Sequence, residues 1–149
     1  MEACRADRVG ECGELAVVVA RACGTTPFTI PVQEKTIDIG SGLKYDAWTY
    51  GGTVPGPVLR VRQGDKVHIH LVNDMEIPHG IDIHAAAIAP SKHFAPIPGK
   101  TDLSYDFAGN VPGVFMYHSR APPMVTHIAN GMYEMTIVDS KAEWPGPKK

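Results

Sequence analysis

Seven side chains in two short stretches have the chemistry to hold a transition metal or to move a proton. Residues 78–87, PHGIDIHAAA, supply His79, Asp82 and His84. Residues 114–135, VFMYHSRAPPMVTHIANGMYEM, supply His118, Ser119, His127 and Met132. Imidazoles and a thioether are metal ligands of intermediate to soft character, and a carboxylate beside them is a ligand or a proton carrier. Strand geometry sorts the seven into two groups, because successive side chains point to opposite faces. His118 and Ser119 are neighbours and face opposite ways. His79 and His84 differ in parity, whereas Asp82 and His84 share a face. The expectation is an inward set of His79, Ser119, His127 and Met132 near one end of a sandwich. An outward set of His84, His118 and Asp82 lies on its surface.

The elements that must position these residues read as strands. Residues 28–39 (FTIPVQEKTIDI) alternate and stop at Gly40, and residues 48–50 lead into a turn at Gly51 and Gly52. Residues 58–62 precede a QGD turn, and 66–72 (KVHIHLV) alternate again. Segments 103–107, 113–118 and 134–138 complete the set. Short strands at such intervals, with 15 Gly and 13 Pro between and around them, predict an all-β fold, a Greek-key β-sandwich or barrel. No segment beyond the N-terminal stretch sustains a helical period. A chain of 149 residues suits one domain with an adequate core. Fourteen basic against 16 acidic side chains leave no footprint for nucleic acid and no polybasic membrane patch, and no apolar run is long enough to span a bilayer.

The stretches YDAWTYGGTVPGPVLRVRQGD (45–65), PHGIDIHAAA and GVFMYHS…PPMVTHIANGMYEMTIVD resemble the first domain of copper nitrite reductases. They resemble more closely the single-domain cupredoxin homologues of the multicopper oxidases, over roughly residues 36–139. The resemblance implies a cupredoxin-like fold and copper as cofactor. By position it implies His79, His127 and Met132 at a type 1 electron-transfer site, and His84 and His118 at a type 2 catalytic site with Asp82 as acid or base. It also implies a homotrimer, in which a neighbouring chain completes the second site, and a periplasmic or secreted location.

Two positions depart from the family pattern. Ser119 stands where the type 1 cysteine belongs, and Glu134 where glycine usually follows GMY. Blue copper depends on a short bond to a soft thiolate. A serine hydroxyl is hard and normally protonated, so intense charge-transfer colour and fast electron relay through this site are not expected. The outward pair is intact, but two imidazoles do not close a coordination sphere around Cu(II) or Zn(II). Water or a second chain must supply the rest. Asp82 is suited to handle a proton of a metal-bound water or to orient a ligand.

The remaining histidines read more plainly. His68 and His70 share one strand face and are expected to be a polar, partly exposed pair, while His93 lies in a Pro-rich loop, PSKHFAPIPG. Cys4, Cys12 and Cys23 all precede the predicted domain and describe no disulfide framework. Residues 1–24 read as an extension, either the remnant of an export signal or a short helix. Residues 25–140 form the cupredoxin domain, and 141–149 a polar, Pro-rich tail. Three functions are consistent with these residues. They are a copper oxidoreductase with external electrons and a small-molecule substrate or redox partner, a non-enzymatic copper-holding or electron-transfer protein, and a structural trimeric module.

Overall fold

The computed structural model of the chain describes residues 17–19, 25–87 and 95–142. Among the described residues, nine strands form two sheets: β1 (Val17–Val19), β2 (Thr25–Asp38), β3 (Lys44–Tyr50), β4 (Val58–Arg62), β5 (Lys66–Asn73), β6 (Asp82–Ile83), β7 (Thr101–Ala108), β8 (Gly113–His118) and β9 (Tyr133–Asp139). One sheet has the order β3-β2-β5-β7, the other β1-β4-β9-β8-β6. This is the β-sandwich expected from the alternation of the sequence.

Period-two burial is the cause of the layering. In β5 the residues alternate from an exposed Lys66 to buried Val67, Ile69 and Leu71, with half-buried His68 and His70 between them. In β2 Phe28, Ile30 and Val32 face the same core, and β2 pairs with β5 in parallel register, Phe28 opposite Ile69. Two buried tyrosines from opposite sheets close one end of the core. The Tyr117 hydroxyl donates to the Pro57 carbonyl at 2.6 Å and the Tyr50 hydroxyl to the Gly80 carbonyl, with the rings 5.5 Å apart. Satisfied hydroxyls make such rings net stabilising where orphaned ones would cost free energy.

Three local features differ from the sequence expectations. Val17–Val19 is a strand paired in parallel with β4 and not a short helix, as suits three β-branched residues. The rest of residues 1–24 lies outside the described residues, as does His93. Among the described residues an α-helix, α1 (Met124–Ala129), interrupts the run of strands. Its six residues are too few for a helical period to register, but Pro123 before it and Asn130–Gly131 after it are start and stop signals. Finally, residues 84–86 leave the extended path as a 3₁₀ turn that begins at His84.

Candidate metal centre

Strand β8 delivers side chains to two places at once. His118, its last residue, lies opposite Asp82 of β6, and Ser119 follows on the other face. The backbone locks this junction. The Ser119 amide donates to the Met132 carbonyl at 3.1 Å, and His118 Nδ1 donates to the Ser119 carbonyl at 2.9 Å. A carbonyl can only accept, so the His118 proton sits on Nδ1 and Nε2 carries a free lone pair. Orientation of a ligating imidazole through its other nitrogen is a recurrent device of metal sites.

On the outer side, His118 Nε2 lies 3.1 Å from His84 Nε2, with the rings edge to face. Ligand atoms of Asp82, His84 and His118 all lie within 4.8 Å of one another. The three residues assigned to one face by parity therefore do converge. They are less superficial than expected: His84 is exposed, but Asp82 and His118 are buried, at 8% and 7% exposure. The 3₁₀ turn folds the His84 ring against the His118 ring, and Arg120 reaches Asp82 with Nη1 3.5 Å from Oδ2. The two Nε2 atoms face one another across 3.1 Å, so one divalent ion between them could take a lone pair from each. Two imidazoles beside a carboxylate suit a divalent copper ion, and His84 is the exposed member of the set.

On the inner side, His79 and His127 point Nδ1 at Nδ1 across 3.0 Å, and Ser119 Oγ lies 3.3 Å from His127 Nδ1. His127 comes from α1, and His79 is held by paired backbone bonds to Ile97. All of these residues and Met132 are buried. Trp48 walls the pair, its ring centroid 5.4 Å from His79 and 4.9 Å from His127. Burial, with His127 alongside, pushes the His79 imidazole down to about 4, and burial lowers His127 as well. Both rings are thus neutral, as metal binding requires. His79 Nε2 is buried with no hydrogen-bond partner among the described residues, so the ring is placed by packing and by what Nδ1 meets. Two convergent Nδ1 atoms fit a metal, whereas the Ser119 hydroxyl beside His127 does not fit the thiolate chemistry of blue copper.

Other histidines take the polar role expected of them. His68 Nδ1 donates to Asp106 at 2.8 Å and His70 Nε2 to Asp102 at 2.9 Å, across β5 and β7 on an outer face. Sequence reasoning passed over Trp48 and Arg120. The only sequence signal for Arg120 is its place two residues after His118.

Residues 31–143 match the family model described as multicopper oxidase. The chain is 38% identical over 116 residues to a copper-containing nitrite reductase of Neisseria meningitidis, covering 75% of this chain and 30% of that protein. It is 37% identical over 111 residues to the copper-containing nitrite reductase of Alcaligenes faecalis, covering 70% of this chain and 29% of that protein. Among solved structures, the copper nitrite reductase from Nitrosomonas europaea superposes with a TM-score of 0.76 at 41% identity, over 78% of this chain and 42% of that one. A multicopper oxidase superposes with a TM-score of 0.73 at 30% identity, over 81% of this chain and 44% of that one. These are cupredoxin-fold proteins, and the fold of this chain is the same. The chain spans about 30% of the length of the curated relatives it matches.

Proposed function

This chain belongs to the multicopper oxidase family, and on that footing we propose that it is a copper-binding cupredoxin domain with a type 2-like site at His84 and His118. The cupredoxin unit runs over residues 25–140, with an extension before it and a tail after it. The observation that carries the proposal is the 3.1 Å approach of His84 Nε2 to His118 Nε2 beside the Asp82 carboxylate. Copper bound there would supply an electrophile for a small ligand and a one-electron couple.

The protein residues have separate tasks. His118 is fixed in one tautomer by the Ser119 carbonyl, and His84 forms the exposed lip of the site. Asp82, buried at the same place, gives or takes a proton at its carboxylate. Electrons arrive from outside, since the type 1-like site of His79, His127 and Met132 lacks a thiolate. A head-to-tail homotrimer would complete the open coordination sphere with a group from the next chain.

Ser119 favours a second reading, a non-enzymatic protein that holds copper without turnover. One experiment tests the binding proposal. Copper content and electron paramagnetic resonance are measured on the chain, on His84→Ala and on Ser119→Cys. The chain should give a colourless type 2 signal, His84→Ala should lose it, and Ser119→Cys should add an intense visible band. Absence of stoichiometric copper in both the chain and Ser119→Cys would sink the proposal. Turnover of nitrite, oxygen or phenols with a strong chemical reductant then decides between the enzymatic and the non-enzymatic reading.

A further inference from the structure

The two histidine pairs differ in what stands beside them. Next to His84 and His118 the fold places the Asp82 carboxylate, with ligand atoms of all three within 4.8 Å of one another. Among the described residues no carboxylate or thiol joins His79 and His127 in such a group. Their neighbours are the Ser119 hydroxyl, 3.3 Å from His127 Nδ1, and the Trp48 ring. Met132 belongs to the same loop, its amide bonded to the His127 carbonyl and its carbonyl to the Ser119 amide. His79, Ser119 and Met132 are wholly buried and His127 nearly so. The inner set is thus two neutral imidazoles, a thioether and a protonated hydroxyl, with no anionic ligand among the described residues.

We propose that this inner set is a holding site for Cu(I) that discriminates against Cu(II), and that Ser119 sets the preference by leaving the donors uncharged. The inference rests on the copper-binding reading above but not on the outer site. Two effects act in the same direction. A thioether is soft and favours the soft monovalent ion, whereas a hydroxyl is hard and does little for it. Charge adds to this. The cost of taking an ion out of water rises with the square of its charge, and here no anionic ligand offsets it. A thiolate would cancel one charge of a buried copper ion, and a hydroxyl cancels none, so the monovalent ion carries the smaller penalty. Rings that burial holds neutral need lose no proton before they bind, and Nδ1 atoms 3.0 Å apart let one ion take a lone pair from each. The outer site has the opposite character, since the Asp82 carboxylate offsets a divalent charge. One chain then sorts copper by oxidation state, Cu(II) outside and Cu(I) inside. Copper enters the inner site already reduced, so no electron changes hands there.

The full chain carrying His84→Ala, which removes the outer site, isolates the inner one. Cu(I) is delivered without oxygen in competition with the chelator bicinchoninate, and Cu(II) sulfate is titrated by calorimetry and electron paramagnetic resonance. This protein should bind one Cu(I) roughly a hundredfold more tightly than Cu(II), and the Cu(I) form should give no resonance signal. Met132→Leu, close in volume, should weaken Cu(I) about tenfold and keep the fold by circular dichroism. Adding Ser119→Cys should narrow the gap between the two oxidation states and bring an intense visible band. Equal affinity for Cu(I) and Cu(II) overturns the proposal. So does Cu(I) binding that survives both Met132→Leu and His127→Gln unchanged. If His84→Ala takes copper in neither state while the unmodified chain gives its type 2 signal, this inference fails and the outer reading stands. If neither protein takes copper in either state, both fall.

Discussion

His79 is buried, neutral and uncomplemented at Nε2, which ties the stability of the metal-free protein to acid. Folding holds its imidazole at about 4, against 6.5 for the ordinary side chain. Between those values the unfolded chain binds the proton and the folded chain does not. The contribution of the neutral ring is therefore whole above pH 6.5 and is lost as pH falls toward 4, to the extent of about 3 kcal/mol. Urea unfolding of the metal-free chain and of His79→Gln at pH 7.5 and pH 4.5 measures it. The wild-type chain should lose more stability than the variant over that interval, and equal losses would refute the assignment. The chemistry of the residues was legible in the sequence, since His84, His118 and Asp82 needed only strand parity to be grouped. Arg120 was not legible, because an arginine beside a serine says nothing until β6 is laid against β8 and brings Asp82 within reach.

Between residue and fold stands the loop that carries α1 and returns through Gly131 to β9. Gly131 has φ +118°, and a Cβ there would come 2.5 Å from Val54 Cγ2 and 3.0 Å from the Trp48 carbonyl. The glycine thus lets the loop press against β3, and this close packing keeps Trp48 over the His79–His127 pair. Gly131→Ala should lower the unfolding free energy by about 2 kcal/mol, from backbone strain and the steric clash together, and should shift Trp fluorescence. A change under about 0.5 kcal/mol by chemical denaturation would contradict this packing. Strands were legible because burial on a pleated sheet repeats every two residues over five or more positions. Short elements were not. Six residues of α1 and the 3₁₀ turn at His84 are set by their neighbours in space, and a local pattern of that length cannot distinguish them from an extended chain.

At the scale of the whole molecule, the outer face of β8 and β9 carries an exposed apolar strip beside the outer site. Val114 and Met116 stand exposed on β8, and Met135 lies directly opposite Met116 on β9. If the site is completed by a neighbouring chain, this strip is where that chain would pack. Met116→Glu, at an exposed position, should leave the monomer folded by circular dichroism and convert a trimer to monomers in sedimentation equilibrium. A wild-type chain that sediments as a monomer at all concentrations would remove the trimer from consideration. The backbone between the two candidate sites has a further effect on the molecule as a whole. His118 bonds to the Ser119 carbonyl, and the Ser119 amide to the Met132 carbonyl, so one dipeptide is shared by both ligand sets. Any shift in that dipeptide when one site fills is felt at the other as a change of affinity. Thermodynamic reciprocity then demands that the second metal alter the binding of the first by the same factor, whichever is added first.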